Sequence, residues 1–137
     1  MGHSIGVRET RHLQGRYYMK AADLMEAKAF KDTIAHGAYH LDIHSPDHKG
    51  LETRKPKPYS IPFCICQADG FERLLVAGRT VSADQDAESS LRVIPILGAI
   101  GQACGTAAGL AAVSGKTVDE IVGSVLQTRL LSDGCII

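Results

Sequence analysis

The residues whose types and spacing could do chemistry gather around one glycine-rich run. Arg92 stands just before Pro95, and beyond it Gly98, Gly101, Gly105, Ala108, Gly109 and Ala112 recur every three or four positions. On a helix these would form one smooth stripe. Each glycine inside a helix costs roughly 0.5–1 kcal/mol relative to alanine. Several on one face therefore imply that something approaches the backbone closely. A helix N-terminus offers unpaired N–H groups and the positive end of its dipole to an anion or a polarised carbonyl. Arg92 would add a fixed cation there, and the glycines would admit a flat cofactor.

Other reactive side chains form weaker patterns. The four cysteines, Cys64, Cys66, Cys104 and Cys135, include no C-x-x-C pair. Cys64 and Cys66 would share a face on a strand. Small buried thiols are the plain expectation, and the spacings of zinc or iron–sulfur sites are missing. His36, His40, His44 and His48 would line one face of a helix. Gly37, Pro46 and the alternation of Tyr39, Leu41 and Ile43 predict extended chain instead, so no metal site is expected.

Three readings of the glycine-rich run stay open from its pattern. The stretch from Val93 to Val113 carries no charge and is long enough to cross a bilayer, with small residues at a membrane packing spacing. It is mostly Gly and Ala, with Gln102 and Thr106 inside and no flanking aromatic belt, which argues against insertion. A buried helix lying on a sheet is the structural reading. A helix that also meets a ligand is the third.

The elements that would position these residues can be read in outline. Residues 4–7 and 12–19 suit strands, and Ala21 to Phe30 is rich in helix formers, with Leu24, Met25 and Ala27 available for burial. Residues 45–58, with Pro46, Gly50, Pro56 and Pro58 among charges, predict an exposed loop. Residues 59–66 are apolar and strand-prone, and Asp69-Gly70 marks a turn. Leu74 to Ala77 reads as a strand buried on both faces and ending at Gly78. A polar segment from Thr80 to Ser90 precedes the long helix, in which Pro95 suits the first turn and Gly115 the end. A last helix is predicted from Lys116, with a Thr117/Glu120 capping box, a Val118, Ile121, Val122 and Val125 face, and a stop at Gly134.

Composition removes several classes of function. The 137 residues carry 15 basic and 15 acidic side chains, scattered rather than clustered. No nucleic acid, anionic membrane or polyanionic substrate is favoured. The first residues hold no apolar h-region, so a cytoplasmic protein is expected.

The ordered motifs resemble a known family. The run Leu74-Leu-Val-Ala-Gly-Arg79, then Arg92-Val-x-Pro95, then Gly101-Gln-Ala-x-Gly-Thr-Ala-Ala108 is similar to the closing segment of FAD-dependent oxidoreductases. The nearest group is the one that includes heterodisulfide-reductase A-like flavoproteins. Ile5 to Arg11, Phe30 to Tyr39 and Asp42 to Pro46 fit the same pattern in order. The resemblance implies an α+β unit, a partial α/β FAD-binding fold. Residues 1–66 would form a substrate-side segment of strands and a helix. Residues 67–137 would supply the last strand and two closing helices of the FAD domain. It further implies FAD as cofactor, a small-molecule substrate, and cofactor-facing positions at Ala77, Gly78, Arg79, Arg92, Gly98, Gly101, Gln102 and Ala103. Arg8 and Arg11 would stand near the active site or in surface ion pairs. Iron–sulfur ligands found in some relatives are not recognisable here.

The sequence also departs from the family. The pyrophosphate-binding fingerprint G-x-G-x-x-G is absent. Gln85 and Glu88 stand where relatives usually carry histidines, and Lys20 stands where they favour a helix-capping threonine. The expected partner is therefore an N-terminal FAD-binding half or subunit. An interaction subunit without its own activity is the rival reading.

Overall fold

The computed structural model describes residues 9, 11–43 and 52–137, the side chains of residues 52 and 53 aside. The predicted strand at 4–7, Arg8, and the histidines at 44 and 48 lie outside the described residues. Among the described residues ten elements follow one another as α1 (Ala21–Met25), β1 (Thr33–Gly37), β2 (Leu41–Ile43), β3 (Glu52–Arg54), β4 (Tyr59–Pro62), a 3-10 turn (Phe63–Ile65), α2 (Gln85–Leu91), α3 (Ile94–Ser114), a second 3-10 turn (Val118–Glu120) and α4 (Gly123–Ser132). The architecture is α+β, as expected.

Two antiparallel strand pairs organise the first half. β1 pairs with β4, with Ala35 opposite Ile61 and Gly37 opposite Tyr59. β2 pairs with β3, so Glu52–Arg54 is a strand where the composition of 45–58 predicts only loop. Pairing with Leu41–Ile43 supplies the hydrogen bonds that the local sequence gives no hint of. Pro56 is buried, against the expected exposure, while Lys55, Lys57 and Pro58 are exposed.

Segment 12–19 forms no continuous strand. It is laced to its neighbours by single bridges, Gly15 to Ala68 and Met19 to Ala83. Gly15 is required at its crossing, since a Cβ there would lie 2.7 Å from Ser82 Cβ. α1 stops at Met25 rather than Phe30, because Ala27 turns to a positive φ of 50°. Leu24 is buried, as expected of that helix, but Met25 is 40% exposed.

One core joins both halves of the chain. Ile34, Tyr59, Ile61, Ile65 and Leu91 share a cluster with Ile96, Ile100, Ala103 and Ala107 of α3 and with Leu126 and Leu130 of α4. Tyr59 closes the floor of it. Its ring lies where a side chain on Gly37 would be, within 2.5 Å of a Cβ built there. Its hydroxyl donates to Ser90 Oγ at 2.6 Å, because Ser90 already donates to the Tyr39 carbonyl at 2.5 Å. Burial pushes the Tyr59 phenol up to about 12, so it stays a donor.

Two predicted elements change character. The polar stretch 80–90 contains α2, whose sequence Gln-Asp-Ala-Glu-Ser-Ser-Leu lacks an apolar stripe. The capping box at Thr117 and Glu120 forms, with the Thr117 N–H on Glu120 at 2.7 Å, but it caps a single 3-10 turn. The last helix begins only at Gly123, leaving Val118 and Ile121 buried and Val122 and Val125 mostly exposed. Its C-terminus does stop at Gly134, in the left-handed region at φ 83°.

Candidate functional site

Three segments build the candidate site: the turn after Leu75, the short helix α2, and the start of α3. The turn is held by backbone hydrogen bonds to residues 66–68. The Val76 N–H donates to the Cys66 carbonyl at 2.8 Å and the Ala68 N–H to the Leu74 carbonyl at 3.3 Å. These two bonds make up the isolated antiparallel bridge between Gln67 and Leu75. Leu74 and Ala77 are exposed and Leu75 and Val76 half-buried, so this run is not the doubly buried strand its composition predicts. No described strand lies along its outer edge. Gly78 then adopts φ 109°, a conformation that side chains rarely take, with open space where a Cβ would be.

The chain returns inward at Val81, Ser82 and Ala83, all buried. The Leu13 N–H donates to the Thr80 carbonyl at 2.8 Å and the Ser82 N–H to the Ile65 carbonyl at 3.0 Å. His12 lies beside this segment. Its Nδ1 lies 3.3 Å from the Val81 carbonyl and its Nε2 lies 2.9 Å from Glu9 Oε1.

Asp84 starts two helices at once. Its Oδ1 accepts from the Ala87 N–H at 2.7 Å, capping α2, and its Oδ2 accepts from the Ala21 N–H at 3.0 Å, at the head of α1. Lys20 contributes its backbone, its N–H donating to Asp23 Oδ2 at 2.9 Å and its carbonyl accepting from the Asp23 N–H at 2.9 Å. The ends of α1 and α2 are thereby fixed to one carboxylate.

α2 carries a buried acid. Glu88 has no exposed surface, and its Oε1 meets no hydrogen-bond partner. Its Oε2 lies 3.5 Å from Arg92 Nη1. Burial holds this carboxyl above its ordinary range and the nearby Glu9 pushes it the same way, while Arg92, His12 and Arg79 oppose them. Arg92 does not point along α3. Its Nη2 donates to the Asp42 carbonyl at 2.9 Å, so the guanidinium binds α2 to β2.

α3 begins without a side-chain cap at Val93, and Pro95 occupies its first turn. Its first N–H groups are therefore left for something other than this helix's own side chains. Ile96, Ile100, Ala103, Cys104, Ala107 and Ala111 line the core face. The opposite face is bare. Gly98, Gly105 and Gly109 are exposed, Gly101 is half-buried, and nothing lies within 4 Å of a Cβ built on any of them. Gln102, Ala108 and Ala112 continue this exposed face, with Ile94 and Val113 86% and 91% exposed at its ends. α3 is also the one described helix long and apolar enough to cross a membrane, and its buried face forms part of the core.

The eight residues singled out by resemblance thus fall in three settings. Ala77, Arg79, Gly98 and Gln102 are exposed, and Gly78, Arg92 and Gly101 are half-buried. Ala103 packs into the core, where only its backbone could face a ligand. Glu88 and Asp84 belong to the same region but are not among those eight. An acidic residue just ahead of a helix-forming run is the signal that finds Asp84, whereas nothing in the local sequence announces the burial of Glu88.

The remaining reactive groups lie apart from this region or under it. Cys64 sits half-buried beside Asp32, while Cys66 is fully buried, because residues 63–65 form a 3-10 turn and not the strand that would align the two. Burial, with Asp32 beside it, holds the Cys64 thiol up to about 12. His36 is exposed on β1, and His40 stacks on Tyr39 with centroids 4.1 Å apart. Among the described residues no three His, Cys, Asp or Glu side chains converge on one point.

The described residues form an α+β unit in which a Gly-Arg turn precedes α2 and the glycine-faced helix α3. Residues 1–130 match the family model for FAD dependent oxidoreductases, and the chain belongs to that family. Its cofactor is accordingly FAD, and it is a flavoprotein domain of oxidoreductase type. No curated protein and no solved structure matches the chain.

Proposed function

We propose that this chain closes the isoalloxazine side of an FAD-dependent oxidoreductase site whose pyrophosphate-binding half comes from an N-terminal segment or a separate subunit. The observation that carries this reading is the bare face of α3. It starts at an uncapped helix end, lies beyond the open Gly78 turn, and has no side chain within 4 Å of its glycine positions. Such a face costs helix stability unless a close partner covers it. Gly98, Gly101 and Gln102 with Ala77, Gly78 and Arg79 are the positions that would meet the ring. Bound FAD supplies hydride or electron transfer to and from a small-molecule substrate.

This chain's own groups would then do three things. The free N–H groups and positive end of α3 would stabilise negative charge at the edge of the ring. The Gly78 turn would let the backbone approach without a side chain in the way. Asp84 and Arg92 would hold α2, and so the entry to α3, against the rest of the fold. Residues 1–66 would serve as the substrate-side segment and residues 67–137 as the closing part of the FAD domain, with a shared core between them. The working compartment would be the cytoplasm, with neither nucleic acid nor membrane as partner.

The rival is an interaction subunit that docks onto a separate FAD-binding chain and does no chemistry itself. The same bare face would then be its interface. Titration of purified chain with FAD, followed by flavin fluorescence, tests the main reading. Binding is expected to be weak or undetectable alone, because no G-x-G-x-x-G is present. Tight binding and flavin-dependent turnover are expected once the N-terminal half is added. Sub-micromolar affinity of the chain alone would overturn the need for that half. A complex that binds FAD equally with and without this chain would favour the rival.

A further inference from the structure

We propose that Asp69 is a site of spontaneous isoaspartate formation, and that the altered residue is a substrate for methyltransferases that esterify isoaspartyl carboxyl groups with S-adenosylmethionine. The chain holds two Asp-Gly pairs, Asp69-Gly70 and Asp133-Gly134. Both are exposed, and both glycines adopt positive φ, at 76° and 83°. Glycine lacks the Cβ that would shield its nitrogen from the preceding side chain. The two pairs differ in what holds the reacting groups. Asp133 Oδ2 accepts from Arg129 Nε at 2.8 Å, and the Gly134 N–H donates to the Leu131 carbonyl at 3.0 Å. Among the described residues, the Asp69 carboxyl group and the Gly70 N–H have no hydrogen-bond partner. Nothing lies within 4 Å of a Cβ built on Gly70. Residues 69–74 are all exposed, so this turn can open at low cost without disturbing the core.

The reaction needs no partner but water. The Gly70 backbone nitrogen attacks the Asp69 carboxyl carbon, a C–N bond forms, and one carboxyl oxygen leaves as water with the nitrogen's proton. The product is a five-membered cyclic imide. Water then adds to the former main-chain carbonyl and breaks the original peptide C–N bond. Gly70 is left joined through the side-chain carbon, and the α-carboxylate of residue 69 is set free. No mass is gained or lost, and nothing is oxidised or reduced. The main chain is longer by one methylene in a tightly tied turn. The Asp69 N–H donates to the Gln14 carbonyl at 2.9 Å, the Phe71 N–H to the Ala68 carbonyl at 3.2 Å, and the Ala68 N–H to the Leu74 carbonyl at 3.3 Å. Isomerisation would thus disturb the approach to Leu74–Ala77, which the proposed function sets beside FAD. That consequence rests on the flavin reading; the isomerisation itself does not.

The test uses the full chain, kept at neutral pH below its melting temperature and sampled over weeks against an unaged control. Trypsin places the two pairs on separate peptides, residues 55–73 and 130–137, because Lys55 and Lys57 each precede proline. The isoaspartyl peptide keeps its mass but separates from its parent by chromatography, and the imide is lighter by one water. An isoaspartyl methyltransferase with labelled S-adenosylmethionine marks the product. The expected result is several-fold faster accumulation at Asp69 than at Asp133 in the folded chain. The two rates should converge in denaturant, where Asp133 and Gly134 lose their partners. Asp69→Glu should abolish labelling of the first peptide, since its six-membered imide closes far more slowly, and should leave the melting temperature unchanged. Equal rates at the two sites in the folded chain, or a rate at Asp69 that rises on unfolding as much as that at Asp133, overturns the proposal. None of these outcomes depends on FAD, so failure here is distinct from failure of the flavin reading.

Discussion

Glu88 shows how much one side chain can depend on its surroundings. It stands in a polar run, yet it is fully buried with one oxygen unpartnered. A buried ion costs several kcal/mol unless it is paired and hydrogen-bonded, and the contact to Arg92 is long, at 3.5 Å. Burial therefore favours the neutral acid. The groups facing it are Arg92, Glu9, His12 and Arg79. With a folded pKa above the ordinary 4.5, the folded state holds the proton more tightly than the unfolded one. Stability from this residue is complete below about 4.5 and declines as pH rises through the raised value. Glu88→Gln, which keeps the shape and cannot ionise, should remove that decline. Melting temperatures of the two proteins from pH 4 to pH 8 are expected to diverge upward in favour of the variant. Parallel curves would show that Glu88 is ionised and adequately paired in the fold.

At the scale of elements, α3 carries two incompatible demands. Its core face is apolar and packed, whereas its glycine face contributes nothing to the stability of this chain. Gly105 is exposed, in helical conformation, with no atom near a built Cβ. Gly105→Ala should therefore stabilise the isolated chain by about 0.5–1 kcal/mol. The same methyl group would stand on the face that the proposed function gives to a close partner, so association with the N-terminal half should weaken. Denaturant titration and a pull-down with that half measure the two effects. Loss of stability in the isolated chain would show that the face is already covered. Gly37 offers the contrast: Tyr59 occupies its side-chain space, so its glycine serves this chain directly. The two glycines look alike in sequence and have opposite structural reasons.

For the whole molecule, the central question is what the long apolar helix faces. α3 meets the length and hydropathy of a membrane span, with a mean hydropathy of 1.6. Its packing against β1 and α4 accounts for that character without a bilayer, since a helix on a sheet needs an apolar stripe. The purified chain is expected to stay in solution without detergent and to remain at the bottom of a density gradient with neutral liposomes. Flotation with the vesicles would restore the membrane reading. The shared core of the two halves also gives the proposed closing role a mechanical basis. Residues of β1, β4 and α3 share that core, so a partner seated on the bare face of α3 would rest on the helix that packs over this strand pair.

The sequence by itself determined the features that depend on local chemistry. Pro95 and Gly115 bound the long helix, Asp69-Gly70 marks a turn, and the Thr117–Glu120 box forms. These rest on fixed φ, permitted positive φ and short-range hydrogen bonds, which neighbours in sequence suffice to specify. The ordered motifs were likewise enough to identify the family. Only the tertiary structure decided the rest. β3 exists because β2 lies beside it, α2 because Asp84 and its packed surroundings hold a sequence with no apolar stripe, and Leu74–Ala77 lies open because no described strand covers its edge. It likewise turned Arg92 toward Glu88 and Asp42. Long-range contacts carry no signature in the spacing of nearby residues, because the partner is chosen by the fold and not by the segment.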